Sequence, residues 1–340
     1  MKPITKYSTS TGSRSNLPTL VLFLSVSLLT GLLNAQTLKN TEIKSDPHYV
    51  GASSIQKVVP GVYFHEGQPN KGYCNNGWVV FDDYVLVIDA NYPSGAKVVM
   101  PLIKVTTDKP VRFVFDTHHH PDHVYGNVVW ADAGATIIAT TRALEEMKKA
   151  ETGYFGSKPG GWEAKAIDRP DVATTHFKPP TLLFPDELIF DDGHQRVELH
   201  WYGPGHTPGD GYVWFPKQKI LFTGDACVNG PRNKVEDGNI SDWIKTLEIV
   251  KNLDAKIVCP GHGPMGGPEI IVDQQAYFIE LQKQVKALVD DGKTAVEIKA
   301  SVPTIAVNLK KIPNIARYVQ TNETRHVQKV YLELGGTLFP

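Results

Sequence analysis

This chain has few cysteines and almost no excess of positive or negative charge. Only Cys74, Cys227 and Cys259 occur among the 340 residues, so at most one disulfide can form and the fold depends on its hydrophobic core. The 35 Lys and Arg residues nearly balance the 36 Asp and Glu residues, for a formal net charge of −1. A nucleic-acid-binding protein usually carries a basic face, and a phosphate-binding loop of the G-x-x-x-x-G-K-[ST] type is also missing from the sequence. We therefore predict no nucleic-acid partner.

Long apolar runs are missing too, apart from one short run near the N-terminus. Lys2, Lys6 and Arg14 precede the run "LVLFLSVSLLTGLL", which is followed by "NAQ". A basic start, a short apolar centre and a small residue at the cut are typical of a secretory signal peptide. The run falls short of the ~20 residues that span a bilayer. We expect residues 1–35 to be removed after Ala35, which predicts a periplasmic or secreted protein without stable membrane insertion; the alternative is an uncleaved anchor.

The composition of the whole chain is that of an ordinary globular protein, with 41% hydrophobic and 21% charged residues. Short runs such as "VRFVFDT", "KILFTGD" and "AKIVCPGHG" predict strands that alternate with helical stretches. Residues 151–180 carry Gly, Pro and charges without periodicity, which predicts a loop. A helix is predicted with Ser241 as its N-cap. We expect an α/β body over residues 48–266 and a helical C-terminal extension over residues 267–340.

The densest group of candidate metal ligands is "THHHPDH", directly after the predicted strand "VRFVFD". His118 and His120 are two residues apart, so in extended backbone both side chains point the same way. His119 points the other way and is expected to be exposed or to lie behind the ligands. Asp122 and His123 follow where the chain turns into a helix. The pattern H-x-H-x-D-H offers imidazoles for a borderline ion such as zinc and a carboxylate for a second ion.

Other strand ends supply the further ligands that a metal site needs. "GPGHTPGD", "LFTGD" and "CPGHGP" each place a histidine or aspartate at the end of a predicted strand. Strand ends on one edge of a packed sheet converge, so we expect these residues to lie close together. Two cations bound there would share a water molecule and lower its pKa towards ~7, which makes hydroxide available. Asp122 is also the candidate catalytic residue, which would orient the resulting hydroxide or move its proton. The set predicts one ion on His118, His120 and His206, a second ion on Asp122, His123 and His262, and Asp225 as a bridge between them.

The order of these motifs resembles that of the metallo-β-lactamase superfamily. The similarity rests on H-x-H-x-D-H at 118–123, "GHTPGD" at 205–210, "FTGD" at 222–225 and "PGHGP" at 260–264. The stretch "NNGWVVFDDYVLVIDA" is similar to the opening strands of the family, with Asp89 at the position of its supporting aspartate. The resemblance implies an αββα sandwich, in which two mixed β-sheets are flanked by helices and the metals lie at one sheet edge.

The ligand set narrows the function that the resemblance implies. Superfamily β-lactamases with a cysteine zinc ligand lack the second histidine of the Asp-His pair, whereas Asp122-His123 is complete and Asp225 holds the bridging position. This set is more similar to those of glyoxalase II, lactonases and ribonuclease Z. We therefore expect an exported hydrolase with two Zn²⁺ ions per chain, iron or manganese being alternatives, that cleaves an ester, thioester, lactone or amide bond of a small-molecule substrate by a metal-bridging hydroxide. The alternatives are a β-lactamase, a mononuclear-iron oxidoreductase similar to persulfide dioxygenases, and a non-catalytic metal-binding accessory protein.

Several other residues receive hypotheses from their positions. Thr207 and Asp210 are expected to support His206 by hydrogen bonding, with turn formation as the alternative for Asp210. Cys227 and Cys259 are interpreted as packing residues. The segment 151–180 could fold over the site or form a solvated surface loop, and its aromatic residues are Tyr154, Phe155 and Trp162. The polar residues after Asp225 could contact a substrate carboxylate, and they are Asn229, Arg232 and Lys234.

Overall fold

The computed structural model describes Lys44, residues 50–156 and residues 158–340. The predicted signal peptide and its cleavage point at Ala35 lie outside the described residues. Among the helices that are described, none has both the length and the apolar character to cross a membrane. Residues 48–340 form one compact unit.

The first sheet has seven strands whose spatial order follows the chain. Strands β1 to β4 pair antiparallel, and strands β4 to β7 pair parallel, so the sheet is mixed. Pro60 and Gly61 separate the first two strands. The strands are β1 Gln56–Val59, β2 Val62–His65, β3 Asn76–Val80, β4 Val85–Ile88, β5 Val111–Asp116, β6 Thr136–Thr140 and β7 Leu182–Phe184.

The second sheet has five strands in the order β12-β11-β10-β9-β8. Its only parallel pair is β11 with β12, so this sheet is mixed as well. Strands β9, β11 and β12 run in the same direction, which brings their C-terminal ends to one edge. The strands are β8 Glu187–Asp191, β9 Arg196–His200, β10 Tyr212–Phe215, β11 Ile220–Gly224 and β12 Ile257–Pro260.

Eleven α-helices are described, and the longer ones cover the outer faces of the two sheets. They are α1 Pro93–Thr106, α2 Pro121–Val124, α3 Asn127–Asp132, α4 Thr141–Ala150, α5 Thr152–Phe155, α6 Gly161–Asp168, α7 Pro170–Ala173, α8 Ile240–Lys251, α9 Glu269–Asp290, α10 Ala295–Lys310 and α11 Thr324–Glu333.

Three apolar clusters define four layers. Phe64 and Phe115 from the first sheet meet Phe215 and Phe222 from the second, and this cluster fills the space between the sheets. Helices α1 and α3 pack on the outer face of the first sheet. Helices α8 to α11 pack on the outer face of the second sheet around residues such as Trp243. The predicted αββα sandwich of two mixed sheets with a helical C-terminal segment is confirmed.

The segment 151–180 was predicted as a loop, and this prediction is wrong. It contains the short helices α5, α6 and α7. They are held by a tertiary contact: the buried Glu151 accepts hydrogen bonds from the Tyr125 hydroxyl (2.5 Å) and the Trp162 amide (2.7 Å). Helices of four to eight residues are too short to show the periodicity on which the prediction depended.

Further details differ from the predictions. The N-cap of α8 is Asn239, whose side chain accepts the Asp242 amide at 2.9 Å, and not Ser241. Helix α10 was missed, since Pro303 lies inside it and interrupts the helical pattern in the sequence. Strands β7 and β8 were missed because they are short and partly exposed.

Candidate metal centre

Loops at the C-terminal ends of five strands deliver the site residues. Strand β4 is followed by Asp89, β5 by the histidine run and β11 by Asp225. Strand β12 is followed by His262, and the loop after β9 carries His206. The parallel pairs β4–β5 and β11–β12 explain why residues so distant in sequence share one edge of the sandwich.

The first cluster joins three histidines and one aspartate. The imidazole centroids of His118, His120 and His206 lie 4.5–4.7 Å from one another. One potential ligand atom from each of these residues and from Asp225 lies within 4.8 Å of all the others. All four side chains are buried.

The second cluster contains Asp122, His123 and His262, and Asp225 connects it to the first. His262 Nε2 lies 3.2 Å from Asp122 Oδ2 and 3.4 Å from Asp225 Oδ2. The other oxygen of Asp225, Oδ1, lies 3.3 Å from His123 Nε2. Asp225 therefore lies between the two clusters, as expected for a bridging carboxylate.

The bonding of these groups tests whether metal ions fit here. His118 Nε2 and His206 Nε2 are buried, and both are without a hydrogen-bond partner, which is costly for a polar atom away from water. Burial, together with the nearby His123, lowers the pKa of His118 well below its ordinary value, and burial lowers the pKa of His120 to about 3. Both imidazoles are therefore neutral at neutral pH, which is the form that binds a metal ion.

The second cluster has the opposite electrostatic character. Burial alone would lower the pKa of His262, but the charge of Asp225 and a hydrogen bond with Asp122 raise it above its ordinary value. For Asp122, burial is outweighed by the charge of His123 and the hydrogen bond with His262, and its pKa falls well below the usual range. Carboxylates that stabilise a positive charge at this position also favour a bound cation. The residues present fit two ions, and their role as ligands stays a prediction.

Outer contacts fix the ligands in place, although not all as predicted. Asp89 Oδ2 lies 2.9 Å from His123 Nδ1, while Asp89 Oδ1 accepts the amide and the hydroxyl of Thr117. Asp210 was expected to hydrogen-bond His206, yet its Oδ1 lies 3.7 Å from Nδ1 of that ring, too far for a hydrogen bond. Asp210 instead accepts the amide and hydroxyl of Thr207, so it orders the backbone of the loop.

A glycine beside Asp225 makes room for the bridge. A Cβ atom on Gly261 would lie 2.0 Å from Asp225 Oδ1 and 2.8 Å from the Asp225 amide nitrogen. Neither distance is compatible with a side chain, so the close approach of β11 and β12 at the metal centre depends on glycine.

The centre opens into a cleft of about 460 Å³. Lys165, Arg232, Lys234 and Arg325 line it, whereas Glu236 is the one acid among its described lining residues apart from the proposed ligands Asp122 and Asp225. Arg232 Nη2 lies 3.5 Å from Asp122 Oδ2. Lys234 Nζ lies 3.1 Å from His120 Nε2 and 2.6 Å from Asp237 Oδ2, and the same Asp237 oxygen lies 2.8 Å from His120 Nε2.

Other predicted residues lie elsewhere. His119 is buried, and a ring nitrogen lies within 4.8 Å of ligand atoms of His120 and Asp237, so of the two predicted positions it has the one behind the proposed ligands. Trp162 packs against the Tyr125 ring, and Tyr154 and Phe155 pack against Phe177. Asn229 donates its amide to the Pro264 carbonyl. Cys227 and Cys259 are buried among core residues, as interpreted.

The prediction missed the contribution of the C-terminal segment to the cleft. Gln320, Arg325 and His326 line it together with Lys165 from α6. Asp237, next to His120, was missed as well. These residues belong to no motif, and only the tertiary packing of the segments that carry them brings them to the cleft.

Comparison with known proteins agrees with this fold. The solved structure of a metallo-beta-lactamase from Pontibacter korlensis superposes with a TM-score of 0.52 at 20% identity, over 66% of this chain and 97% of that protein. This likeness concerns the fold. The family described as the metallo-beta-lactamase superfamily matches residues 69–262, and the chain belongs to it.

Curated relatives carry more than one hydrolase name. A "Metallo-beta-lactamase type 2" from Bacillus sp. (strain 170) is 24% identical over 73% of this chain and 89% of the relative. A "Hydroxyacylglutathione hydrolase" from Pelagibacter ubique (strain HTCC1062) is 26% identical over 64% of this chain and 77% of the relative. The chain is thus similar to metal-dependent hydrolases of different specificity.

Proposed function

We propose that the protein is a hydrolase that holds two zinc ions and cleaves an ester, thioester, lactone or amide bond. The observation that carries the proposal is the pair of buried ligand clusters joined by Asp225, at the base of an open cleft. When bound, two ions at such a centre supply a nucleophilic water at neutral pH and a Lewis acid for the scissile carbonyl. The hydroxyacylglutathione hydrolase relative supports a thioester or ester substrate.

Asp122 has the position of a proton-handling group. Its side chain is 16% exposed, more than that of any other of the seven proposed ligands, so it has the best access to the cleft. It is held by His262 Nε2 at 3.2 Å and faces Arg232 at 3.5 Å. These contacts orient the carboxylate while leaving it next to the space that a substrate would enter, where it would accept or return a proton.

We further propose that the substrate carries an acidic group. The cleft is lined by Arg232, Lys234, Lys165 and Arg325, and a guanidinium group pairs with a carboxylate in a fixed geometry. Two esters that differ in one carboxylate, 4-acetoxybenzoate and phenyl acetate, test this proposal. Arg232→Ala should raise the KM for 4-acetoxybenzoate about tenfold, the loss expected for one charge-assisted hydrogen bond, and leave the KM for phenyl acetate unchanged. Equal effects on both esters would contradict it.

The function as a whole is tested by a substrate panel on the metal-loaded protein. The panel contains aryl esters, S-acyl glutathione thioesters, lactones and β-lactams. Hydrolysis that disappears after dialysis against a chelator and returns with zinc supports the proposal. An absence of hydrolysis across the panel, with one iron per chain and oxygen consumption in the presence of persulfides, would replace it by the oxidative alternative.

β-Lactam cleavage is the second candidate because relatives such as the Bacillus sp. (strain 170) protein are named metallo-beta-lactamases. Faster turnover of the β-lactams than of the other members of the panel would favour it.

Export is also a proposal, which rests on the basic and apolar N-terminal pattern in the sequence. N-terminal sequencing of the natively purified protein should start near Gln36. A chain that starts at Met1 in the cytoplasmic fraction would contradict export.

A further inference from the structure

Helix α11 runs along the loop that connects β11 to α8, residues 225–239. Its side chains are hydrogen-bonded to this loop and to the start of α8 at successive points. Arg325 Nη1 donates to Glu236 Oε1 at 3.0 Å, and Lys329 Nζ donates to the Glu236 carbonyl at 3.3 Å. Glu333 accepts the Ile240 amide at 2.8 Å, at the first residue of α8. The C-terminal helix therefore braces the C-terminal part of the β11–α8 loop.

The innermost of these contacts is formed by His326. Its Nε2 atom lies 2.6 Å from the backbone carbonyl of Asn233, to which it donates when that nitrogen carries the proton. The Gln320 amide donates to the same carbonyl at 2.8 Å. On its other side, His326 Nδ1 lies 2.5 Å from the Tyr277 hydroxyl oxygen, which also lies 2.8 Å from Glu323 Oε2. In this hydrogen-bonded group Asn233, His326, Tyr277 and Glu323 are all buried, and Gln320 is partly exposed. The His326 imidazole is therefore held from both sides.

Asn233 lies between two of the four residues that contribute cations to the cleft. Arg232 precedes it and approaches Asp122, while Lys234 follows it and approaches His120. The side-chain amide of Asn233 is buried and has no hydrogen-bond partner, although the residue lines the cleft. The Asn233 side chain therefore does not hold the loop at this point. The backbone carbonyl of Asn233 holds it instead, through its contacts with His326 and Gln320.

We propose that His326 is a positioning residue that sets the β11–α8 loop so that Arg232 and Lys234 bind the acidic group of the substrate. The inference rests on the proposed hydrolase function of the same cleft. In this arrangement the helical C-terminal segment completes the substrate site, and His326 acts through Asn233 without touching the reacting atoms.

Native-state trypsin cleavage tests the position of the loop without any substrate. Trypsin cuts after Arg232 and Lys234, and the following residues, Asn233 and Val235, are buried. Cleavage there requires local opening. In metal-loaded His326→Leu we expect cleavage at these two sites to be about tenfold faster, the factor that corresponds to one lost buried hydrogen bond. Cleavage after the exposed Lys293, which lies between α9 and α10 and is followed by the exposed Thr294, serves as the internal reference.

Two matched variants separate positioning from general damage to the helix. His326→Gln keeps an N–H donor of similar reach and should restore slow cleavage. Gln328→Ala lies on the same helix, where Gln328 bonds only to the C-terminal tail at Thr337 and Phe339, and should cleave like the wild type. If His326→Leu does not fold, Gln320→Ala, at a partly exposed residue, removes the other donor to the Asn233 carbonyl and should also cleave faster.

A kinetic measurement connects the loop to substrate binding. His326→Leu should raise the KM for 4-acetoxybenzoate severalfold, with kcat, metal content and the KM for phenyl acetate close to wild type. Unchanged trypsin cleavage in His326→Leu, no recovery in His326→Gln, or faster cleavage with an unchanged KM would each overturn the proposal. A wild-type protein that hydrolyses no member of the substrate panel would instead refute the hydrolase function, and the trypsin rates would still decide whether His326 holds the loop.

Discussion

Asp89 provides the sharpest test of how the second metal cluster is built. Its Oδ2 atom lies 2.9 Å from His123 Nδ1, and its Oδ1 atom accepts two hydrogen bonds from Thr117. Asp89→Asn keeps the size and one acceptor for Thr117, but it removes the negative charge beside the imidazole. The backbone should tolerate the change, since Asp89 has a φ of 64° and Asn adopts this region more readily than most residues.

The expected magnitude follows from the role of outer partners. Loss of a carboxylate that orients a metal-bound histidine weakens metal binding by about 10–100-fold, which corresponds to about 1.4–2.7 kcal/mol. We expect this loss for the ion held by Asp122, His123 and His262, while the ion at the other cluster keeps its affinity. Titration against a chromogenic zinc chelator, which resolves the two binding steps, gives both constants.

Asp210→Asn is the matched control because Asp210 also binds a neighbouring threonine but lies 3.7 Å from His206 Nδ1. It should weaken metal binding less than tenfold, as that distance is beyond a hydrogen bond. A second zinc constant in Asp89→Asn within threefold of wild type would refute the reasoning. Equal losses of zinc affinity in the two variants would refute it as well. The short Asp89–His123 distance of 2.9 Å would then matter no more than the Asp210–His206 distance of 3.7 Å.

Three further changes have defined outcomes. His120→Ala should abolish turnover and lower the metal content by about one ion per chain while thermal unfolding stays cooperative; full turnover would show that the first cluster is not the active centre. Gly261→Ala places a Cβ 2.0 Å from Asp225 Oδ1 and should lower the free energy of unfolding of the metal-free protein by about 1–3 kcal/mol, measured in urea; an unchanged midpoint would contradict the close approach. Asn239→Ala should cost about 1 kcal/mol in the same assay through the lost N-cap of α8, and Ser241→Ala clearly less; the reverse order would restore the cap predicted from sequence.

The placement of the seven proposed ligands was predictable because it depends on rules that act over short distances. Strand β5 ends at Asp116, and alternation in extended backbone then places His118 and His120 on one side. The convergence of His206, Asp225 and His262 required only that their strands share a sheet edge, which the resemblance to a known family also implied. The structure brings all seven residues together at that edge.

The parts that could not be predicted depend on tertiary contacts. Helices α5 and α6 are ordered by Glu151 and Trp162, and no periodic pattern marks them. Asn239 caps α8 in place of Ser241 because the N-cap residue depends on where the backbone of the β11–α8 loop turns into the helix. Helix α11 holds the loop at that point, since Glu333 accepts the Ile240 amide. His326 is distant in sequence from the histidine run. Its connection to the cleft depends on how the C-terminal helix packs, which the sequence pattern does not show.

The central claim is that this chain holds two metal ions between seven of its own side chains. Metal analysis by mass spectrometry on the natively purified protein tests it most directly, with Asp225→Ala measured beside the wild type because this side chain joins both clusters. The account predicts about two zinc ions per chain in the wild type and a marked loss in the variant. One iron per chain, or a metal content that Asp225→Ala leaves unchanged, would contradict it.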